Sequence, residues 1–387
     1  MSLPNILVIT SDEHNPKHLS CAGHPVVKTP NLDRLAAQGT RFDRAYCAQP
    51  ICAPTRQTFI TGLWSFEHGQ YSNSHVFDKR HPTWAHHFND AGYHTACVGK
   101  MHTNHEAFHY GYHHRFSKLD YPADIERARR EHPPTHDPQD KALFDTVVDT
   151  WGKPPRLRGA IAAADGRYEH DGIMTDQSIA FLQRHVSDPD TKSKPFFLHA
   201  SLTQPHWPWV LPRDFYYMYD PATVDFEPPA PGALDHDAVA SRRYYGFGWD
   251  KNSEAVHRLA RARYYGAVSW LDHNIGRLLN ALEDLGVADN TLVLYFTDHG
   301  DFAGERGLWL KSLLYDSAAR LPMILRYPGR VPAGAVNHTL INHVDLFPTL
   351  AGLVGTAGPL PQRISGKDLS ASVTSGAPGP EFTIAFD

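Results

Sequence analysis

Cysteine is scarce in this chain, at four residues in 387. Cys21, Cys47, Cys52 and Cys97 have neither the density of a disulfide scaffold nor the Cys-x-x-Cys spacing of a structural zinc site, so any thiol chemistry must rest on a single side chain. Long apolar runs are missing as well. The opening residues pass without a basic start into Asn5-Ile6-Leu7-Val8-Ile9-Thr10, too short for a signal core, and nothing later is long enough to span a bilayer. Those absences predict a cytoplasmic chain with no membrane partner. Nor is there an excess of basic charge: 37 Lys and Arg stand against 42 Asp and Glu, dispersed along the chain, for a net charge of -5. Without a basic stripe no counterion release drives nucleic-acid binding, so the expected partner is a small or anionic molecule held by a local site. Internal repeats are absent, and low complexity is confined to the small-residue stretch 370–380.

With 41% hydrophobic residues a chain of this length can bury a large core, and one large domain with a small appendage is the default reading. Histidine is abundant, at 26, but most lie in scattered pairs such as His86-His87 and His113-His114, and each alone reads as a solvated or core side chain. Four short apolar runs say more, because each leads at once towards polar, reactive residues. Residues 5–10 lead into Ser11-Asp12-Glu13-His14, 94–98 into Gly99-Lys100-Met101-His102, 196–201 towards His206, and 291–297 into Asp298-His299-Gly300-Asp301. Separated by amphipathic segments, they predict an α/β fold. Ligands of open α/β sheets bind beyond the carboxyl ends of the strands, so the four clusters are expected to converge. Helices are predicted over 30–38 and 82–91, closed by Gly39 and Gly92 in left-handed caps. A third is predicted over 259–285, where Val268, Leu271, Ile275, Leu278, Leu279, Leu282 and Leu285 form one apolar stripe before Gly286. Two stretches, about 103–166 and 205–249, are too long for ordinary connections and are expected to run over the active face. Aromatic residues there serve either loop packing or substrate contact. Residues 382–386 read as a lone strand.

The densest information lies at Cys52-Ala53-Pro54-Thr55-Arg56. Pro54 suits the first turn of a helix, which puts Cys52 at or just before its N-terminus, where backbone N–H groups favour an anion. An isolated cysteine in such a place is ordinarily a small buried thiol at a strand-to-helix junction. A cysteine phosphatase also surrounds an anion with a cysteine and an arginine, but its loop needs five residues between the two, and here there are three.

Cys-x-Pro-x-Arg followed by Thr61-Gly62 resembles the signature of type I sulfatases, in which a maturation enzyme oxidises the cysteine to formylglycine. The likeness runs from Asn5 to about Gly366, through Thr29-Pro30-Asn31-Leu32-Asp33-Arg34-Leu35, Gln204-Pro205-His206 and Gly304-Glu305-Arg306-Gly307-Leu308-Trp309-Leu310-Lys311. It also takes in the clusters at Gly99 and Thr297. Tyr121-Pro122-Ala123-Asp124 and the Asp298-His299 pair are similar to the choline-sulfatase branch. The resemblance implies an alkaline-phosphatase-like fold, with a large, mostly parallel central sheet flanked by helices. Residues 1–366 would be the catalytic domain and 367–387 a short C-terminal segment, the start of a small subdomain that is missing or truncated. The implied reaction is hydrolysis of a sulfate ester by the aldehyde hydrate through a covalent sulfated enzyme, which the second hydroxyl lets break by elimination.

Residue by residue, Asp12, Asp298 and His299, with the modified Cys52, resemble the ligands of one divalent cation. An oxygen-rich site with one imidazole suits Ca2+ first, with Mn2+ or Mg2+ as alternatives. The metal would acidify the attacking hydroxyl, and Asp298 would take its proton. Arg56 would steady the hydrate; Lys100 and His102 would bind sulfate, His102 also taking the second hydroxyl's proton. His206 and Lys311 resemble the pair that protonates or stabilises the departing oxygen. The maturation enzyme and a small sulfated substrate are the expected partners, and a homo-oligomer is left open.

Two departures stand out. Type I sulfatases commonly carry a second aspartate directly after the first, whereas this chain has Glu13, whose longer side chain leaves ligation open. Where many have asparagine after the later aspartate, this chain has His299, as the choline-sulfatase and phosphonate-hydrolase branches do. A phosphonate monoester hydrolase or phosphodiesterase is therefore the nearest rival. It is told apart at Lys100 and His102, which those enzymes tend to replace with uncharged hydroxyl-bearing residues. The rival from another class is a non-catalytic metal- or anion-binding homologue with an unmodified thiol. The alcohol stays open among choline, a phenol and a sugar.

Overall fold

Ile6 and Val8 point to one side of the first strand and Leu7 and Ile9 to the other, and all four are fully buried. A strand apolar on both faces has to lie inside a sheet that is covered on both sides. The computed structural model, which describes residues 3–104, 108–120, 130, 160–161, 169–230, 232, 234, 237–356, 360–361 and 363–386, has this arrangement. Its main sheet consists of β1 (Asn5–Asp12), β2 (Thr40–Phe42), β3 (His94–Gly99), β4 (His114–Phe116), β5 (Phe196–Pro205), β6 (Thr291–Thr297), β7 (Met323–Arg326) and β8 (Ala335–Asn337). The order is β8-β2-β7-β6-β1-β5-β3-β4. From β6 to β4 all neighbours are parallel; β7 runs antiparallel to both β6 and β2. The strands whose ends carry the reactive clusters, β6, β1, β5 and β3, are thus consecutive, and their carboxyl ends lie side by side.

Helices α1 (Pro30–Gln38), α2 (Cys52–Thr61), α3 (Trp84–Asp90), α4 (His170–Ser187), α5 (Glu254–Asp284) and α6 (His343–Val354) cover the sheet. Leu32 and Leu35 of α1, Met174 and Leu182 of α4, and Leu271, Ile275 and Leu278 of α5 pack with Leu7 and Ile9. On the other face Phe59 of α2, Trp84 and Phe88 of α3, and Phe347 and Leu350 of α6 pack with Ile6 and Val8.

Several sequence expectations need correcting. Gly92 takes the left-handed conformation expected of it, but Gly39 is extended, with φ -143. Its role is close approach, since a Cβ there would lie 2.4 Å from the Leu325 carbonyl oxygen of β7. α5 begins at Glu254, ahead of the predicted 259, because the Ser253 side chain accepts the Val256 N–H and caps the helix early. That extra length serves a second core, in which Val256, Leu259, Ala260 and Tyr264 pack against Trp209, Tyr216, Phe226 and Trp249 of the 205–249 stretch. These excursion aromatics are buried packing. Residues 382–386 form no strand; Phe386 donates its N–H to Ala48 and packs on Trp64 and Phe66. Most of the 103–166 excursion, including Tyr121-Pro122-Ala123-Asp124, lies outside the described residues. Among the described residues no helix is long and apolar enough to cross a membrane.

Gly99 closes β3 with φ +109, and a Cβ at this position would lie 1.9 Å from the Ser201 carbonyl oxygen on β5. Gly99→Ala is therefore expected to lower unfolding stability by more than about 3 kcal/mol. Gly286→Ala, left-handed but with open space around it, should lose only about 1–2 kcal/mol. Denaturant unfolding of the two variants compares them, and equal losses would show that contact with β5 is not the constraint.

Candidate active site

Asp12 is the last residue of β1, Lys100 and His102 follow β3, His206 follows β5, and Asp298 and His299 follow β6. Cys52 is the first residue of α2, with Pro54 in the first turn, where its missing N–H removes no helical bond. No side chain caps this helix at Ile51; Asn73 Oδ1 takes the Ala53 N–H at 2.9 Å. Arg56 lies one turn further on and returns to the same side as Cys52. The motif's spacing therefore sets a thiol and a guanidinium side by side over the ends of β1 and β6.

The Cys52 sulfur is 3.1 Å from His299 Nε2 and 3.6 Å from Asp12 Oδ1. Ligand atoms of Asp12, Cys52, Asp298 and His299 all lie within 4.8 Å of one another, and all four residues are buried. His299 Nδ1 donates to the Gly300 carbonyl at 3.0 Å, which leaves the Nε2 lone pair facing the cluster. Arg56 Nε donates to Asp298 Oδ2 at 2.8 Å and Nη2 to Asp12 Oδ2 at 3.2 Å. Its Nη1 donates to the Lys100 carbonyl and to Ser201 Oγ, at 2.8 and 2.9 Å. The Lys100 ammonium pairs with Asp12, and Lys311 pairs with Glu13. His206 Nε2 stands 3.6 Å from the same Glu13 oxygen. Glu13 thus joins Asp12 and His206 in a neighbouring group and lies outside the four-residue cluster; its Oε2 is buried with no hydrogen-bond partner among the described residues.

Environment separates the two aspartates. Burial raises Asp12, but Lys100, His206, Arg56 and His299 outweigh it and hold the carboxyl well below its usual range. Asp298 moves up, driven by burial against the pull of Arg56. A firmly ionised carboxylate thus stands beside a more basic one, and environments that push a pair apart in this way suit them to different roles. Burial, then the Asp12 charge, pushes the Cys52 thiol well above its ordinary value, so unmodified it stays protonated and is a poor nucleophile. Burial lowers His102 to about 3 and His206 to about 4, which makes both neutral imidazoles. Lys311 is lowered by burial to about 8, within reach of proton donation near neutral pH.

Beside the cluster a cavity of about 340 Å³ is lined by Lys100, His102, Ser117, Lys118, Thr203 and His206, among others. A larger one, about 850 Å³, lies between residues such as Lys17, His24, Asp225 and Arg306 and contains none of the expected site residues. Among non-glycine residues in the left-handed region, His102 lines the first cavity, Glu13 follows Asp12, and Leu310 and Ser312 flank Lys311. Each costs about 1–2 kcal/mol and persists only where neighbours hold it. Tyr264 donates to the Glu13 carbonyl at 2.7 Å, and Asp301 Oδ1 accepts the Leu310 N–H at 3.2 Å. Pro50 O accepts from Ser312, so Lys311 is fixed from both sides. Sequence reading missed Ser201 and Tyr264. Ser201 left a faint signal as the polar end of an apolar run; Tyr264 left none, since it lies within a helix whose periodicity reads as core.

The sulfatase family profile matches residues 4–356. A choline-sulfatase of Rhizobium meliloti (strain 1021) is 33% identical over 366 residues, covering 91% of this chain and 68% of its own length. An arylsulfatase of Clostridium perfringens (strain 13 / Type A) is 30% identical over 401 residues, covering 95% of this chain and 77% of its own. Among solved structures, a phosphonate monoester hydrolase from Silicibacter pomeroyi superposes with a TM-score of 0.76 at 25% identity, over 98% of this chain and 78% of that one.

Arg56 is 1% exposed and touches two carboxylates that are 0% exposed. Arg56→Met should destabilise the chelator-treated protein by about 3–5 kcal/mol, because it leaves two buried charges facing each other. Saturating divalent cation should restore part of that loss. Urea unfolding with and without chelator measures both, and a loss below about 1 kcal/mol without metal would show that Arg56 is not what holds the carboxylates together.

Proposed function

The chain belongs to the sulfatase family, and on that footing we propose that it hydrolyses a sulfate ester to an alcohol and inorganic sulfate, with Cys52 oxidised to formylglycine. The observation that carries this reading is the meeting of Cys52 with Asp12, Asp298 and His299, with Lys100, which pairs with Asp12, lining a neighbouring cavity together with His102 and His206. The high pKa of the thiol supports conversion over direct thiolate attack. Formylglycine would supply a hydrated aldehyde, an oxygen nucleophile, in place of that thiol. A formylglycine-generating enzyme is the partner this requires.

The donor set fits a hard divalent cation. Two carboxylates and one imidazole converge in a dry place, and the buried Glu13 Oε2 next to them has no partner among the described residues. Asp12, Asp298, His299 and the side chain at position 52 would hold the ion, Ca2+ in first place and Mn2+ or Mg2+ as substitutes. When bound it would supply Lewis acidity to the oxygen nucleophile. Asp12, Glu13 and Asp298 balance Arg56, Lys100 and Lys311 in charge. A divalent cation added to that balance leaves positive charge uncompensated, which an anionic ester would satisfy.

The chain's own residues then divide the work. Arg56 orients the nucleophile's surroundings through its two carboxylate contacts. Asp298, the more basic aspartate, accepts the proton of attack. Lys100 and His102 donate to the sulfuryl oxygens, and neutral His102 can also take a proton in breakdown. Lys311 and His206 face the departing oxygen, with Lys311 the stronger candidate for donor near neutral pH. The likeness to a phosphonate monoester hydrolase keeps a second reading open, in which the transferred group is a phosphonate or phosphodiester. Aryl sulfate and choline sulfate are the first substrates to try.

Cys52→Ala is expected to abolish turnover and leave the fold intact, since one small buried side chain replaces another. Peptide-mass analysis of protein made with a formylglycine-generating enzyme should find the aldehyde at position 52 of the wild type. Full activity in the alanine variant would sink the nucleophile assignment.

The rival is tested by Lys100→Ala combined with His102→Ala. A sulfate monoester presents three non-bridging oxygens, whereas a phosphodiester or phosphonate monoester has one such position filled and can make fewer of these contacts. The double variant should lose at least about 10²-fold in kcat/KM for an aryl sulfate and less for a matched phosphodiester. Wild-type preference for the phosphodiester, with an equal or larger loss on it, would move the assignment to phosphonate hydrolysis.

A further inference from the structure

We infer that Asp171 is a positioning residue for the leaving-group side of the reaction, holding the turn that carries His206. The inference rests on the reading above in which His206 acts on the departing oxygen.

The pairing of β1 with β5 slips near the site. Thr10 is opposite Ser201 but Asp12 is opposite Pro205, so β5 carries two more residues than β1 over the same stretch. The extra residues must find acceptors for their N–H groups outside the ladder. Asp171 supplies both: its Oδ1 accepts from Thr203 at 2.8 Å and its Oδ2 from Gln204 at 2.7 Å. The Thr203 carbonyl in turn accepts the His206 N–H at 2.9 Å. Two short steps therefore connect a buried carboxyl group to the backbone of the imidazole that lines the cavity.

Asp171 is itself locked. It is the second residue of α4, 0% exposed. Glu169 Oε2 accepts its N–H at 2.8 Å and also takes the Trp270 indole N–H from α5 at 2.7 Å. Burial and the neighbouring Glu169 push the Asp171 carboxyl well above its ordinary range, so the arrangement destabilises locally. In return both N–H groups of the irregular stretch are held by one side chain, and the chain leaves β5 aimed at the cavity. A neutral amide of the same size could not do this, since it offers one acceptor and one donor where two acceptors are needed.

The test uses metal-loaded enzyme bearing formylglycine and a series of aryl sulfates graded in the pKa of the released phenol. Wild type, His206→Ala, Asp171→Asn, and the Asp171→Asn/His206→Ala double variant are compared by the slope of log kcat/KM against that pKa. A misfolded fraction scales every substrate alike and leaves the slope unchanged, so the slope separates positioning from loss of structure. Asp171→Asn should steepen the slope in the same sense as His206→Ala, losing at least about 10-fold on the poorest leaving group and under about 3-fold on the best. The double variant should be no steeper than His206→Ala alone. Asp171→Ser, smaller and also neutral, should behave as Asp171→Asn does and stands in for it if the amide does not fold. A steep His206→Ala series beside wild-type slopes for the Asp171 variants would overturn the inference and leave the role of His206 standing. A His206→Ala series with the wild-type slope would remove that role, and the inference with it.

Discussion

Two carboxylates with no exposure to water stay ionised within a few ångströms of each other only when a cation joins them. In this fold the cation is Arg56, whose guanidinium reaches Asp298 through Nε and Asp12 through Nη2. Desolvating three charges is tolerable only when the geometry is good and the remaining donors are used. Here Nη1 is used twice, on Ser201 and on the Lys100 carbonyl. Arg56 therefore touches the ends of β1, β3 and β6 and the middle of β5 at once. Were α2 to start a residue earlier or later, its side chain would rotate by about 100° and miss them.

The electrostatic pattern that follows is uneven in a useful way. Lys100 and Arg56 hold Asp12 firmly ionised, while burial leaves Asp298 the more basic. His102 and His206 at the cavity are neutral because burial and neighbouring cations disfavour their charge. Without a bound ion the positive and negative side chains are nearly matched, so a divalent cation held there would add net positive charge, which an anionic ester offsets better than a neutral one.

How much of this could be read from sequence depends on the range of the interaction. β1, β3, β5 and β6 were legible because each is a short apolar run followed by polar residues, and β6 begins and ends at the positions expected. The long helix was legible from its stripe, but its first turn was not: the Ser253 cap is a local signal that lies ahead of the stripe, and the packing of Val256 and Leu259 with Trp209 and Trp249 is a tertiary fact. Gly39 misled because a glycine after a helix has two uses, and only the position of Leu325 reveals which applies. Residues 382–386 alternate like a strand yet find no partner strand to pair with. Ser201, Tyr264 and Asp171 escaped because nothing local distinguishes a buried hydroxyl or carboxyl that supports a site from one that merely fills a core.

The consecutive placement of β6, β1 and β5 has a consequence for how the molecule comes into being. Neighbouring strands here are remote in the chain: Ile6 is opposite Phe197 on one side and Leu292 on the other. The contact between the Glu13 N–H and Asp298 closes a loop of 285 residues. Such contacts bring loop-closure entropy before any stabilisation, which makes them late events in folding. No early intermediate built from the first half of the chain can contain the centre, because Asp298 and His299 have not yet docked. Hydrolytic competence is then an all-or-none property of the finished sheet, and a kinetic assay of refolding enzyme reads the last step of assembly, not an average over it.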